Sequence, residues 1–376
     1  MPSNRAAWLT AKSVRPLEVK TAPYTSPATN EIVIKNGAIA INPVEWSKQL
    51  VGDLMFSWIK YPFVLGNDLA GEVVEVGSGV TRFKPGDRVL GHALSMDPTV
   101  NKNSEGSFQE YTVVRANMAS PIPDTLSYEQ ACVLPLGLST AACALFQKDT
   151  LALNYPDASA TATGESKKSG NETLVIWGGS SSVGCNAIQL ATAAGYDVVT
   201  TASPKNFEFV TSLGATQVFD YRSKTTVADI IKALKGRKAV GAIAIGNGST
   251  EACIEILSRT TGSKFVAQVS FPWPEKTPTT TLALIGAMIG LMWWNLSIFI
   301  KSKFRGVTAK FVFGSSLYNN EVGGIIYSDF LPEALAHGSF VAAPEPLVAG
   351  KGLEKIQEAM DLHMKGVSAK KVVVSL

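Results

Sequence analysis

Metal-ligating side chains are scarce in this 376-residue chain, which has three histidines and four cysteines. Cys132, Cys143, Cys185 and Cys253 stand far apart with no C-x-x-C pair. That spacing excludes a disulfide frame and a structural metal knot, and the four read as small core residues of a reducing compartment. Charge is thin as well, at 17% of residues with a net of +3 and no basic stripe, so a nucleic-acid surface is not expected. The opening MPSNRAAWLTAK has no apolar signal region, and the final VVVSL does not match the S-K-L peroxisomal address. A cytoplasmic location is the expectation. A disordered composition is also missing: 46% of residues are hydrophobic, and the length suffices for two domains and a large core.

What is present centres on residues 173–206, TLVIWGGSSSVGCNAIQLATAAGYDVVTTASPKN. The run 173–177 is apolar throughout, as suits a parallel strand buried on both faces. Gly178, Gly179, Ser180, Ser181, Ser182, Val183 and Gly184 follow, with no bulky side chain before Val183. A helix then extends to Gly195, placed as a C′ glycine, and a second strand begins at Val198. Strand, small-residue turn, helix and strand form half a dinucleotide site. The turn lets the backbone approach a pyrophosphate, and the helix N-terminus offers free N–H groups. Against the pattern G-x-G-x-x-G the register gives Gly179, Ser181 and Gly184, with serine at the middle position. An ordinary βα turn is the alternative.

Sites for NAD place an acid at the end of the second strand, to bind the ribose 2′-hydroxyl. Residues 199–206, Val-Thr-Thr-Ala-Ser-Pro-Lys-Asn, contain none. Ser203, Lys205 and Asn206 offer donors that suit a 2′-phosphate, so NADPH is expected over NADH. Ser203-Pro204 also reads as an N-cap and first-turn proline, a role compatible with the other.

Residues 1 to about 120 are β-rich, with strands expected over 31–41, 68–77, 87–91 and 107–114. Two helices are expected within 126–147, meeting near Pro135–Ser139. Residues 154–172 are small and polar and read as a solvated loop. Helices then alternate with strands at 217–221, 240–246, 264–270 and 307–313, the pattern of an α/β doubly wound parallel sheet. A helix over 352–364 and a strand over 371–375 close the chain. Residues 282–300, LALIGAMIGLMWWNLSIFI, carry no charge and are followed by Lys301, Lys303 and Arg305. The length meets the criterion for a membrane span, yet the sheet still needs a strand beyond it. A buried or lid helix, or an oligomer interface, is expected there in preference to membrane contact.

Three stretches carry a resemblance: PFVLGNDLAG at 62–71, the VG at 76–77, and FKPGDRV at 83–89. With Asn42-Pro43-Val44-Glu45-Trp46, they resemble the medium-chain dehydrogenase/reductase superfamily over essentially the whole chain, in its zinc-independent enoyl and quinone reductase branch. The blocks FLPEALAHGSFVAAPEPLV and GKGLEKIQEAMDLHMKGVSAKKVVVSL resemble the fungal CipB-like oxidoreductases, described as zinc-binding, and the trans-acting enoyl reductases. The resemblance implies a GroES-like catalytic domain from 1–142 and 316–376 around an NADPH-binding Rossmann domain at 143–315. It places Trp46 and Ser47, Ser180–Val183, Gly246, Val269, Ser270, Ser368 and Ala369 along the cofactor. Tyr221 becomes a 2′-phosphate or adenosine contact, with a rim aromatic as the alternative. Ser139 and Thr140 become neighbours of the nicotinamide, with helix capping as the alternative. Related reductases carry a lysine just after the Trp46 segment. Here that slot is Ser47, and Lys48 follows as the candidate acid or cofactor contact, with a solvated lysine as the alternative.

Zinc dehydrogenases of this family use cysteine and histidine ligands, and the corresponding positions here are Trp46-Ser47, Asn67 and Leu136. His92 reads as a polar core or rim residue, and His337 and His363 as residues of surface helices, so no metal is expected. The resemblance implies hydride transfer to the β-carbon of an enone or enoyl group, followed by enolate protonation. The substrate is expected to be a hydrophobic small molecule or carrier-bound, in a pocket lined by Trp293, Trp294 and Phe299, and the protein a monomer or homodimer. Carbonyl reduction on the same fold, or NADPH binding with little turnover, are the alternatives.

Overall fold

A computed structural model of the chain describes residues 2–158, 170–272, 278 and 280–376. Most of the polar loop expected over 154–172 lies outside the described residues. The chain forms two compact units, one from Met1–Ser139 with Leu317–Leu376 and one from Thr140–Ser316.

In the second unit the described strands form one sheet, with all its pairs parallel. Its order is Gln217–Asp220, Asp197–Ala202, Glu172–Trp177, Lys238–Ala244, Phe265–Gln268, Thr308–Phe311. Leu174, Val175 and Ile176 are fully buried, because helices cover both faces of a parallel sheet. Burying each such side chain is worth roughly 1.5–3 kcal/mol. The register pairs Trp177 with Thr201 on one side and Ala244 on the other, and Ala244 with Gln268. Four strands therefore end level. Chain order reverses across Glu172–Trp177, and open α/β sheets bind ligands at the carboxyl edge of such a switch point.

The first unit holds two further sheets among its described residues. In the larger one the order is Glu345–Lys351, Lys370–Ser375, Glu31–Ala40, Asp68–Val76, Arg88–His92, Ala119–Pro121, with Tyr111–Arg115 also paired to Glu31–Ala40. Asn4–Leu9, Glu18–Ala22 and Phe63–Val64 make the smaller one. Helix Pro43–Val51 begins with a capping box between Asn42 and Glu45, and helix Ile356–Met364 lies against it.

Two expectations are corrected. The helices within 126–147 are Tyr128–Ala131 and Pro135–Phe146, so the break falls at 132–134. Proline fits the first position of a helix, where its missing N–H costs nothing, so Pro135 starts the second helix and does not interrupt one. Ser139 and Thr140 thus lie inside a helix, and capping is not their role. Second, residues 281–305 do form a single helix, Thr281–Arg305, capped by Thr280 at its start and by Gly306 with φ of 61° at its end. It is not buried. Ile298 and Ser302 face the domain core and Trp294 donates to Glu251 Oε1 at 2.8 Å, while the opposite side is open. A helix lying on a sheet needs only one apolar stripe, and this one is apolar on both sides.

Candidate functional site

The turn after Glu172–Trp177 is held by its own backbone and by the neighbouring strand. Gly178, at φ of 96°, donates to Thr201 Oγ1 at 3.0 Å, and Gly179 N donates to Thr201 O at 2.9 Å. A Cβ on Gly184 would sit 2.3 Å from the Gly178 carbonyl oxygen, so only glycine lets helix Ser182–Ala193 approach the strand this closely. Ser181 is the N-cap. Its hydroxyl accepts from Gly184 N at 3.1 Å and donates to Gly178 O at 2.7 Å. Its φ of −77° is open to any residue, which explains why serine can stand at the middle glycine position. Ser182 and Val183 open the helix, where backbone N–H groups have no intrahelical acceptor. The Ser182 hydroxyl is buried and has no hydrogen-bond partner among the described residues. An unpaired hydroxyl beside free amides at a helix N-terminus fits the pyrophosphate of a dinucleotide.

The level strand ends bring the remaining expected residues of this unit to the same edge. Gly246, at φ of 94°, donates its N–H to Ser270 Oγ at 2.7 Å, and Val269 N donates to Ala244 O. Ser203 leads into the short turn Pro204–Asn206 without a side-chain capping bond. Its hydroxyl bonds the Tyr221 phenol instead, and that bond, aided by Arg222, holds the phenol below its ordinary pKa. Arg222 stacks over the Tyr221 ring at 5.2 Å and donates from Nε to its hydroxyl at 3.2 Å. Lys205 is exposed, and Asn206 is buried with its N–H on Ser203 O. Ser203, Tyr221 and Arg222 thus form one donor-rich corner, with the Asp220 carboxylate at its edge accepting from Arg222 N at 3.0 Å. Sequence pattern alone singles out Tyr221 and not Arg222, although Arg222 follows it directly beyond strand Gln217–Asp220. Thr140 is buried in helix Pro135–Phe146. Trp293 and Phe299 lie on the open side of the long helix, so neither lines an enclosed pocket within this unit.

In the other unit Lys48 is fully buried, and its ammonium donates to Asp53 Oδ1 at 3.0 Å and Phe56 O at 3.2 Å beneath the Tyr61 ring. It is neither solvated nor free. Its bonds tie helix Pro43–Val51 to the turn that follows, which corrects the solvated alternative. Trp46 donates from Nε1 to His363 Nδ1 at 3.0 Å. His363 is therefore part of a helix contact and not the surface residue expected, and burial pushes it down to about 4. Ser47 sits one turn from Pro43 at intermediate exposure. Ser368 and Ala369 form the bend before Lys370–Ser375, with Ala369 at φ of 50°.

Two buried polar networks went unread in the sequence. Ser139 Oγ lies 2.8 Å from His92 Nδ1 and 2.7 Å from the Tyr327 hydroxyl, which in turn donates to Pro135 O. Burial pushes His92 down to about 4. Beside it, Asp68 Oδ2 pairs with Lys371 at 2.8 Å and accepts from Asn42 Nδ2, and Asp68 Oδ1 accepts from Leu136 N. Glu45 is also buried there, and burial, with Asp68 adding to it, pushes Glu45 up to about 8. Asp68 sits in the 62–71 motif, but nothing in the valine-rich closing strand marks Lys371 as its partner.

Zinc does not fit this donor set. Asn67 donates its amide to Ala93 O, and no group of three or more His, Cys, Asp or Glu able to hold a metal exists among the described residues.

Comparison with known proteins agrees with the architecture. A family described as alcohol dehydrogenase GroES-like domain matches residues 28–124, and one described as zinc-binding dehydrogenase matches residues 182–288. The dehydrogenase pigH of Monascus ruber is 53% identical, covering 100% of both chains. The trans-enoyl reductase himH of Aspergillus japonicus is 39% identical over 99% of this chain and 97% of its own. Among solved structures, an alcohol dehydrogenase superfamily protein from Novosphingobium aromaticivorans superposes with a TM-score of 0.72 at 22% identity, covering 99% of each chain, which bears on the fold.

Proposed function

The chain belongs to the medium-chain dehydrogenase/reductase superfamily, and on that premise we propose that this nicotinamide-dependent oxidoreductase uses NADPH to reduce the activated C=C bond of a hydrophobic enone or carrier-bound enoyl group. The observation that carries the cofactor choice is the Ser203–Tyr221–Arg222 corner beside a second strand that ends without an acid. A carboxylate ending the second strand would repel a 2′-phosphate, whereas a guanidinium and two hydroxyls can donate to one, and the neighbouring Asp220 carboxylate is engaged by Arg222 N. Lys205 adds an exposed cation to the same corner. Gly179, Ser180, Ser181, Ser182 and Val183 hold the pyrophosphate, and Gly246, Val269 and Ser270 border the path toward the nicotinamide, with Thr140 beside it.

When bound, the dihydronicotinamide supplies a hydride for the β-carbon of the substrate. The chain's own contribution is to fix the cofactor through backbone amides and the hydroxyls at the turn. The C=C reading draws support from a relative named trans-enoyl reductase.

Fluorescence titration should show NADPH binding at least about tenfold more tightly than NADH, the scale of one charge-assisted hydrogen bond. Equal affinity would refute the cofactor choice. Incubation with an α,β-unsaturated ketone should yield the saturated ketone, and an allylic alcohol as sole product would reassign the enzyme to carbonyl reduction. Tight NADPH binding with no oxidation by any enone would favour a binding protein.

A further inference from the structure

We propose that the open face of helix Thr281–Arg305 rests in the plane of an anionic lipid bilayer and docks the protein there. The helix is 25 residues long, or about 37 Å at the usual rise per residue. Leu282, Ile289, Met292, Trp293, Phe299 and Phe304 are all exposed, Met292 at 71%, Trp293 at 66% and Phe304 at 88%. At about 100° per residue all six fall within about 140° of the helix circumference, on the side away from the buried Ile298 and Ser302. A monomeric soluble protein rarely leaves a contiguous apolar stripe of this length uncovered.

The charge pattern selects the occupant. No acid lies between positions 281 and 305, and the cations Lys301, Lys303 and Arg305 gather at the C-terminal end. The Lys303 ammonium lies over the Phe299 ring at 5.8 Å, so a cation sits directly beside the apolar stripe. A second copy of the chain laid stripe on stripe brings no carboxylate to these cations. Anionic headgroups supply the opposite charge and the acyl boundary accepts the side chains. The helix lies on the surface and does not cross it. Trp294 is bonded to Glu251, Ile298 belongs to the core, and strand Thr308–Phe311 joins the sheet directly afterwards, so one side of the helix belongs to the protein.

Flotation with phosphatidylcholine vesicles, with and without phosphatidylglycerol, tests this on the full chain. The protein should float with the anionic vesicles. Ile289→Glu/Met292→Glu/Phe304→Glu should reduce binding at least about tenfold with an unchanged thermal midpoint, since all three side chains are exposed. Lys301→Glu/Lys303→Glu should weaken anionic binding at least about tenfold. Brominated lipid should quench tryptophan fluorescence of the unaltered protein, a reading that needs no variant to fold. Failure to float on either vesicle overturns the proposal. So does a dimer in solution that the triple variant splits, which would make the face a contact between copies.

Discussion

At the residue scale, backbone geometry accounts for which letters the phosphate turn can spell. Gly184→Ala places a methyl 2.3 Å from the Gly178 carbonyl and 2.7 Å from Gly179 Cα, both backbone atoms that cannot swing aside. We expect a stability loss of about 1–3 kcal/mol, as for other overpacked sites, together with weaker NADPH binding, read by thermal unfolding and titration. Ser181→Ala removes a cap and should cost about 1 kcal/mol, while Ser181→Gly should cost only a few tenths; identical melting of the two variants would contradict the capping assignment. Glu45 offers a test in pH. Its carboxyl is pushed up to about 8 in the folded chain from an ordinary value of 4.5. Between those values the folded chain keeps a proton that the unfolded chain has released, so stability is greatest below the lower value and falls as pH rises toward the upper one. Glu45→Gln keeps the oxygen that accepts from Asn42 N, and should flatten that decline in urea midpoints taken from pH 5 to 8.

At the element scale, apolar runs and glycine endings located nearly every strand and helix of the parallel sheet, because strands buried on both faces leave an unmistakable hydrophobic run. The break between Ala131 and Pro135 was misplaced because proline is as good a beginning as an interruption, and only the surrounding backbone decides. The side that Thr281–Arg305 buries was illegible for a related reason: a segment apolar all round does not announce which stripe meets the core. Trp294 is its polar tether. Trp294→Phe leaves the Glu251 carboxylate without that donor and should destabilise the second unit by about 1–3 kcal/mol; calorimetry showing no change would mean that Ile298 and Ser302 suffice to hold the helix.

At the scale of the whole molecule, the family motifs lie in both units, and the sequence carried the strand, turn and helix order of the second unit well. It carried the polar interior of the other unit poorly, since Asp68 and Lys371 are about 300 positions apart and periodicity says nothing about such pairs. The same inability hid the bonds from Lys48 to Asp53 and the Phe56 carbonyl. Ligand linkage gives a global test: a nucleotide that binds only the folded chain stabilises it by about 2.7 kcal/mol at one hundred times its dissociation constant. NADPH should therefore raise the melting temperature by several degrees, and Arg222→Ala should shrink that rise while leaving the response to NADH unchanged.

Ser181 has a consequence for how such chains are detected. Its torsion lies in territory every amino acid can occupy, so what the position asks of a side chain is the ability to cap the start of a helix, and glycine is not required there. Searches that insist on glycine in the central slot will pass over proteins of this kind, whereas a query phrased in torsion angles and close approach would retrieve them.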